Sequence, residues 1–467
     1  MRAVKAMPMA YIAAMAELFS NRWVEAWGTA LNQSEAYREA GKSWEGALVL
    51  EAQADPTRGL SETAAVYLDL FRGRCRAART ATADDAALAS YVITGPMAVW
   101  VAVLDGKVAP TMAILRGKLR LKRGSLAGLL PHVHAATALV RVARSVVTTT
   151  ESLLSTVVPP SRAEHVPTRA PRRHVMQSTS PVGLRYDLFP MVLWDKAKRL
   201  GIWNPADIDF SQDRRDWMGL DTGEQDLLLR LVALFQGGEE AVTIDILPLV
   251  DVIASEGRLE EQLYLTSFIW EEAKHVEALR RFLDAVGASG QDLAHYHSPS
   301  YRTIFEEALP EAMSRLRTDR SPVAQARASA TYNLIVEGVL AETGYHVFHR
   351  ILTDRGIMPG MQQVATYLKA DESRHMAYGI YLLSRLTVEH GEIVWDAIVD
   401  RMNALLDPAI AIIGEAFAAY PMDAVPFGLT PEPFVQFAMS QFQKRLDTVE
   451  RARRGGNATA IASQTAS

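Results

Sequence analysis

The chain has 467 residues but only one cysteine, Cys75, and it lacks any long apolar run free of charged residues. A single thiol excludes an intramolecular disulfide and any metal site built from several thiolates, and it suits a reducing compartment such as the cytoplasm. A membrane-spanning helix needs about 20 consecutive, mostly apolar residues, and no such stretch is found. We therefore expect a cytoplasmic protein without an integral membrane segment.

A strong excess of charge is also missing. The net charge of −5 gives no argument for a nucleic-acid partner. The charge is uneven, however, because residues 1–150 carry a net +6 and the remainder carries −11. The basic first part could contact acidic lipid head groups or an acidic partner, but a solvated surface is the preferred interpretation.

The length predicts two or three domains, and the sequence pattern changes once along the chain. Residues 46–53 look like a strand, and the stretch 64–80 alternates like a strand at Val66, Leu68 and Leu70, before its arginines. Residues 98–108 are predicted to form a strand, an Asp-Gly turn and a second strand, and residues 114–124 alternate apolar with basic side chains. These patterns predict an α/β domain over residues 1–145.

The rest of the chain is predicted to be a linker, a helical domain and a tail. Residues 146–182 are rich in Pro, Ser and Arg, which favour an extended tether. Residues 183–450 are helical in pattern, with a capping box at 221–224 and a Ser-Pro helix start at 321–322. Residues 451–467 are rich in small residues, and we expect them to be disordered. The predicted fold is thus an α/β domain followed by an all-α helical bundle.

A Glu-x-x-His motif occurs twice within long apolar-periodic segments, at Glu272 with His275 and at Glu372 with His375. Residues three apart lie on one face of a helix, so each carboxylate and imidazole can bind the same metal ion.

An acid also precedes each motif glutamate. Glu271 and Asp371 lie four residues before a histidine and therefore share its face. We prefer Glu272 and Glu372 as ligands, because the three-residue spacing is the one found in ferritin-like helical bundles that bind two metals through carboxylates, and we expect a bundle of this type.

Two further acids lie 33 and 35 residues before the motifs, Glu239 or its neighbour Glu240 in the first case and Glu337 in the second. Burying one glutamate costs several kcal/mol unless it is paired, and a single one would suggest a salt-bridged core acid. Four acids and two histidines in a repeated order instead predict a two-metal, oxygen-activating site. Carboxylates with one imidazole per ion favour iron or manganese over zinc.

A separate His-x-x-His pair, His346 and His349, begins nine residues beyond Glu337. That separation is more than ~13 Å along a helix. We interpret these histidines as packing or surface groups rather than metal ligands.

The first domain resembles the sterol carrier protein type 2 lipid-binding domains. The resemblance is carried by DGKV at 105–108, PTM at 110–112, and GKLRL at 117–121 with Gly124. It implies a sheet covered by helices around an apolar tunnel for a fatty acyl or sterol-like ligand. The alternative is an α/β domain with an ordinary packed core, and no single tunnel residue is nominated.

Residues 183–445 resemble the R2-like ligand-binding oxidases, relatives of the ribonucleotide reductase small subunit. The matching stretches are NPADIDF at 204–210, GEEAVTIDILPL at 238–249, LYLTSFIWEEAKH at 263–275, TYNLIVEG at 331–338 and DESRHMAYG at 371–379. The resemblance selects Glu239 over Glu240. It implies six metal ligands: Glu239, Glu272, His275, Glu337, Glu372 and His375.

The same resemblance implies cofactors and a covalent modification. In this family manganese occupies the first site and iron the second, and a long-chain fatty acid bridges or caps them. Oxygen activation there forms an ether cross-link between a tyrosine and a valine, which correspond to Tyr332 and Val242. Glu239 stands where reductase subunits usually have aspartate, and Leu279 where they commonly have a radical tyrosine, so an ordinary reductase subunit is not expected.

The predicted function is an Mn/Fe oxidase that uses dioxygen for the two-electron oxidation of an apolar fatty acyl or sterol-like substrate. The electron donor is not identified, and a homodimer formed through the helical domain is considered as a further partner. The alternatives are a di-iron acyl desaturase or N-oxygenase, and a non-enzymatic lipid-binding or redox-sensing metalloprotein.

Overall fold

A computed structural model describes most of the chain as two compact units, Met1–Arg185 and Tyr186–Ser467. The described residues are 18–56, 60–105, 108, 110–115, 117–124, 126–129, 132–151, 176–421 and 423–455. The predicted combination of an α/β unit followed by a helical unit is confirmed. Most of the predicted linker and most of the predicted tail lie outside the described residues.

The first unit contains one five-stranded mixed sheet in the order β3-β2-β1-β4-β5. Its strands are β1 Glu45–Gln53, β2 Ala64–Phe71, β3 Arg74–Thr80, β4 Tyr91–Pro96 and β5 Arg120–Arg123. The β1–β4 pair is parallel, and the other neighbouring pairs are antiparallel.

Helices accompany this sheet. They are α1 Asn21–Gln33, α2 Glu35–Ala40, α3 Ala83–Leu88, α4 Met97–Leu104, α5 Pro110–Leu115, α6 Leu126–Leu129 and α7 Val133–Glu151. Alternation along β2 buries Val66, Leu68 and Leu70 in a core shared with α1 and α7. The Trp27 indole of α1 donates to the Leu139 carbonyl of α7 at 3.0 Å, which ties the two helices together.

The first of the two strands predicted over residues 98–108 is wrong, because Met97–Leu104 forms helix α4. Residues 106 and 107 of the predicted turn and second strand lie outside the described residues. The run AVWVAVL has no polar alternation, so its sequence does not distinguish a strand from a buried helix. Tertiary packing decides: Met97, Trp100 and Val103 recur every three residues and are all buried. The expected strand at 114–124 is likewise reduced to the four residues of β5.

The second unit is built from helices. They are α8 Phe189–Leu200, α9 Ser211–Gly219, α10 Thr222–Asp245, α11 Leu247–Ser255, α12 Leu259–Ala285, α13 Pro299–Arg302, α14 Leu309–Arg315, α15 Pro322–Ser329, α16 Glu342–Phe348, α17 Pro359–His390, α18 Glu392–Phe417 and α19 Pro431–Gly455. Three π-helical segments join some of them: Thr303–Ala308, Ala330–Ala341 and His349–Thr353. Among the described residues, no helix has the length and apolar character needed to cross a membrane.

Local sequence signals set several of these helix ends. The Asp221 side chain accepts from the Glu224 N–H at 2.8 Å, and Glu224 accepts from the Asp221 N–H, which completes a capping box at the start of α10. The Ser321 hydroxyl caps α15, where Pro322 occupies the first turn. The helix break at Ile246 precedes Pro248, as the proline predicts.

Candidate metal centre

All six predicted ligands come together in the interior of the helical unit. Helices α12 and α17 each supply a Glu-x-x-His pair, α10 supplies one glutamate, and the π-helical segment Ala330–Ala341 supplies another. Their side chains form two overlapping groups of four, and within each group the ligand atoms lie within 4.8 Å of one another. The first group is Glu239, Glu272, His275 and Glu372, and the second is Glu272, Glu337, Glu372 and His375.

The Nδ1 atom of His275 is the centre of the first group. It lies 3.3 Å from Glu239 Oε2, 3.5 Å from Glu272 Oε2 and 3.5 Å from Glu372 Oε1. Three carboxylate oxygens and one imidazole nitrogen therefore face one another across a space that a single cation could occupy.

The Nδ1 atom of His375 has the same role in the second group. It lies 3.1 Å from Glu272 Oε1, 3.4 Å from Glu372 Oε2 and 3.7 Å from Glu337 Oε1. Glu272 and Glu372 thus turn one oxygen toward each histidine, whereas Glu239 and Glu337 each belong to one group only. This is an arrangement for two neighbouring cations with two shared carboxylates.

The acids that precede the motif glutamates contact the histidines at Nε2, the ring nitrogen that does not face the cluster. Glu271 Oε2 lies 2.8 Å from Nε2 of His375, and Asp371 Oδ2 lies 3.3 Å from Nε2 of His275. Each acid therefore supports the histidine of the other helix. An N–H donated from Nε2 leaves the Nδ1 lone pair directed at the cluster, as in metal sites whose histidines are oriented by carboxylates.

Buried cations offset the charge of these two acids. Arg374 donates to Glu271 at 2.6 Å and also contacts Asp371, while the Lys274 ammonium lies 3.2 Å from Asp371. The Trp203 indole donates to Asp371 at 2.9 Å. Burial opposes ionisation of Asp371, but hydrogen bonding to His275 and the neighbouring positive charges outweigh it and hold its pKa below the ordinary range.

The π-helical winding explains how one segment contributes both Glu337 and Tyr332. An α-helix with 3.6 residues per turn places residues five apart on different faces, whereas i→i+5 hydrogen bonding brings them together. The Tyr332 hydroxyl donates to Glu272 Oε1 at 3.0 Å, and the Asn333 amide donates to Glu337 Oε2 at 2.9 Å. The Asn333–Glu337 pair has the ordinary i,i+4 spacing of a helix, whereas Tyr332 and Glu337 are five residues apart and share a side only in the π segment, so the spacing in the sequence did not reveal the Tyr332 contact.

The electrostatics of the cluster fit metal binding. Burial raises the pKa of Glu239 to about 8, and burial followed by the charge of Glu372 raises the pKa of Glu337 well above its ordinary value. Four buried atoms of the six proposed ligands have no hydrogen-bond partner: Glu272 Oε2, Glu337 Oε1, Glu372 Oε2 and His375 Nδ1. Buried lone pairs of this kind are costly unless they bind a cation. Oxygen donors with one imidazole per group suit manganese or iron.

An apolar cavity of about 120 Å³ adjoins the cluster. Glu239, Glu337 and Glu372 line it together with Val242 and otherwise mainly Leu, Ile, Val and Phe side chains. Val242 is buried one helical turn beyond Glu239. Gly238 also lines the cavity, and a Cβ atom there would lie 3.3 Å from the Phe305 ring, so a larger side chain would fill the space.

The sequence did not identify the supporting residues Trp203, Lys274, Arg374 and Asn333. The clustering of ionisable residues in EEAKH and DESRH was an available signal, because charged side chains are rarely buried unless they are paired. The His-x-x-His pair does not join the described cluster: the His346 ring stacks on Phe437 at 4.5 Å.

A buried pair of overlapping carboxylate–histidine groups in a helical bundle defines a dinuclear metal protein. The family described as ribonucleotide reductase, small chain, matches residues 191–449, and the SCP-2 sterol transfer family matches residues 28–126. The chain belongs to the ribonucleotide reductase small-chain family, with an SCP-2 sterol transfer domain preceding the helical domain.

Solved structures narrow the class to the R2-like ligand-binding oxidases. A valine-to-alanine variant of such an oxidase, with anaerobically reconstituted Mn/Fe cofactor, is 40% identical, covers 59% of this chain and 98% of its own, and has a TM-score of 0.56. A tyrosine-to-phenylalanine variant with aerobically reconstituted Mn/Fe cofactor is 39% identical with the same coverage and a TM-score of 0.57. The helical unit is therefore an oxygen-activating oxidoreductase domain of this type.

Proposed function

We propose that this protein is an Mn/Fe-dependent oxidase that activates dioxygen for the two-electron oxidation of an apolar, fatty acyl or sterol-like substrate. The observation that carries the proposal is the pair of buried, overlapping four-residue groups beside an apolar cavity. The similar solved structures, which contain a Mn/Fe cofactor, support it. The single cysteine supports the cytoplasm as its compartment.

Each group would hold one ion, with manganese proposed at the His275 group and iron at the His375 group. When bound, the two ions would supply the electrons and the Lewis acidity for dioxygen activation. The protein contributes the fixed geometry: Glu272 and Glu372 keep the two positions adjacent, and Glu271 with Asp371 orients the histidines.

The apolar cavity is the proposed site for a long-chain fatty acid or substrate. Its apolar walls exclude water, and the carboxylates of Glu239, Glu337 and Glu372 mark where a chain lying in it would meet the metals. Access through an apolar cavity favours unfunctionalised carbon chains over polar metabolites.

Tyr332 and Val242 are the proposed partners of an ether cross-link. Tyr332 donates its hydroxyl hydrogen to Glu272, and Val242 lines the cavity three residues beyond Glu239. Forming the tyrosine O–C bond would remove the phenol hydrogen and one hydrogen of valine. This is a two-electron oxidation, for which dioxygen, activated by the ions when they are bound, would be the oxidant. Glu272, which accepts the Tyr332 hydrogen bond at 3.0 Å, is proposed to take the phenol proton.

Loading the metal-free protein with both Mn(II) and Fe(II), followed by exposure to air, tests this function. We expect about one manganese and one iron per chain by elemental analysis, because the two groups offer one site each. Peptide mapping by mass spectrometry should then find a species joining Tyr332 to Val242 that lacks two hydrogens. The Tyr332→Phe variant should bind both metals but lack this species.

The matched control for the cross-link is Tyr301→Phe, since Tyr301 also lines the cavity but donates its hydroxyl to the Leu234 carbonyl. This variant should still form the joined peptide. Two irons without manganese would replace the proposal with a di-iron desaturase or N-oxygenase. Metal-free protein after loading would refute it.

The SCP-2 domain is proposed to capture the apolar substrate and raise its concentration near the oxidase domain. Deleting residues 1–170 should lower kcat/KM for a long-chain substrate by about tenfold or more, while kcat at saturation and the metal content stay unchanged. The match to the similar oxidase covers 98% of that oxidase's chain, so the shortened protein keeps the part that corresponds to nearly all of it. Unchanged kcat/KM for every lipid substrate would exclude this role.

A further inference from the structure

A line of aromatic rings leads away from the metal centre. The Phe268 ring stacks on the His375 imidazole, with centroids 3.6 Å apart and planes inclined by 10°. The Tyr264 ring lies 6.2 Å from Phe268 and 5.3 Å from Tyr378, and Tyr381 follows at 6.4 Å from Tyr378. Each ring therefore contacts the next one in the line.

The line runs from the interior of the helical unit toward its surface. Tyr264 and Tyr378 are fully buried, whereas Tyr381 is 8% exposed. The rings belong to α12 and α17, the two helices that also carry the Glu-x-x-His pairs. The positions of the rings and of the proposed metal ligands are therefore fixed by the same helix packing.

Tyr378 differs from its neighbour Tyr264 in having an acceptor for its hydroxyl proton. The Tyr378 hydroxyl donates to Glu261 Oε2 at 3.1 Å, whereas the buried Tyr264 hydroxyl has no hydrogen-bond partner. A tyrosine that loses an electron also releases its phenolic proton, because an oxidised phenol is a strong acid. Tyr378 is consequently the buried tyrosine of this line that can lose an electron and a proton together.

The surroundings of Glu261 suit this exchange of a proton. The carboxylate is buried, with Arg385 Nε at 3.5 Å and Arg258 Nη1 at 3.6 Å. Burial raises the pKa of Glu261 above its ordinary value, although both arginines lower it. Glu261 therefore takes a proton more readily than an exposed glutamate, and the proton stays beside Tyr378, to which it can return.

The proposed oxidation of a substrate needs electrons from outside. Reduction of dioxygen to two water molecules consumes four electrons, and a two-electron oxidation of the substrate supplies only two of them. The other two have to come from an external reductant. All six proposed metal ligands are buried, so a reductant at the surface needs a route through the protein.

We propose that Tyr264, Tyr378 and Tyr381 relay electrons to the metal pair from a one-electron reductant at the surface near Tyr381. The inference rests on the proposed oxidase function, because the oxidised metals are the electron acceptor. Tyr378 gives one electron to the metals by way of Tyr264 and Phe268, and its phenolic proton passes to Glu261. The reductant then returns one electron to Tyr378, and Glu261 returns the proton. The net change is the transfer of one electron from the reductant to the metals.

The rate at which the oxidised metals are reduced tests the relay. Full-length protein is loaded with Mn(II) and Fe(II), oxidised in air and mixed without oxygen with reduced methyl viologen, a one-electron reductant, while the visible absorption of the bound metals is followed. Tyr378→Phe should lower the rate about tenfold or more, because phenylalanine is far harder to oxidise than tyrosine. Glu261→Gln should lower it several-fold, because the proton acceptor is lost.

A second measurement detects the oxidised tyrosine itself. Protein that holds both metals is mixed with dioxygen in the absence of reductant and frozen, and we expect electron paramagnetic resonance to show a tyrosyl radical that is missing from Tyr378→Phe. Tyr296→Phe is the matched control, because the Tyr296 hydroxyl also donates to a carboxylate, that of Asp226 at 2.7 Å, but its ring is outside the line. This control should equal the wild type in both measurements.

Metal content and the joined Tyr332–Val242 peptide, measured on the same samples, separate the two proposals. If both are normal but the metals of the wild type are not reduced, or Tyr378→Phe retains the wild-type rate and radical, the relay alone is overturned. The same holds if Trp203→Phe slows the reduction and Tyr378→Phe does not, since Trp203 contacts His275 at 6.2 Å on the other side. Absence of both metals and the joined peptide would overturn the oxidase function and the relay with it.

Discussion

Replacement of Glu372 by alanine is expected to abolish binding of both metal ions, although it removes only one side chain. Glu372 Oε1 lies 3.5 Å from Nδ1 of His275, and Oε2 lies 3.4 Å from Nδ1 of His375, so both groups lose a ligand together. After loading with Mn(II) and Fe(II) and removal of free metal, elemental analysis should find less than about one-tenth of the wild-type content.

Two adjacent residues of α10, Glu239 and Glu240, provide the comparison for Glu372→Ala. Glu239→Ala should reduce the content to about one ion per chain, because Glu239 belongs only to the His275 group. Glu240→Ala should retain both ions, since Glu240 is exposed on the next position of the same helix. Full metal content in Glu372→Ala, or equal losses in the two α10 variants, would show that the assigned ligands are wrong.

The metal-free protein is expected to lose stability as the pH rises from about 5 to about 8, and Glu239→Gln should reduce that loss. Burial raises the pKa of Glu239 from 4.5 to about 8. The folded state therefore holds this proton more tightly than the unfolded state. The associated stability is complete below pH 4.5 and disappears as the pH rises through about 8.

At pH 8 the variant should consequently unfold at a higher temperature than the wild type when metal is absent. The expected gain in the free energy of unfolding is on the order of 3 kcal/mol, because glutamine is a neutral substitute for the protonated acid. With metals bound the sign should reverse, because the variant lacks a ligand and is stabilised less by binding.

Calorimetric melting between pH 5 and pH 9, with chelator and with metals, measures both effects. Glu240→Gln is the control, and we expect it to follow the wild type under each condition because its side chain is exposed. A change of the same sign with and without metal would contradict the prediction. A melting temperature of the metal-free wild type that does not vary with pH would contradict it as well.

Much of the candidate site could be predicted, because the spacing of its side chains along the sequence places them on one face of a helix. Glu272 with His275 and Glu372 with His375 each share a helix face whatever the rest of the fold does. Burying four carboxylates in apolar helices costs enough free energy that we expect them to share a bound cation. The choice of Glu239 over Glu240 needed the family resemblance, and the structure buries the first and exposes the second.

Contacts between distant segments were not predictable in the same way. The supporting roles of Glu271 and Asp371 depend on how α12 and α17 face each other, and the sequence offered these acids only as competing ligands. Tyr332 reaches Glu272 only because Ala330–Ala341 winds as a π-helix. The apolar run at 98–104 has no polar alternation, so packing decided its conformation.

Taken by itself, the sequence determined the succession of an α/β part and a helical part and the two Glu-x-x-His pairs that are candidates to bind metal, and the family resemblance completed the proposed set of six ligands. The succession and the two pairs depend on short-range periodicity, capping and the cost of burying charge, which neighbouring residues specify. Tertiary structure alone decided which carboxylates are shared, which acid supports which histidine, and where the apolar cavity lies. Those features come from the packing of helices that are about 100 residues apart in the chain, and no local sequence pattern predicts that packing.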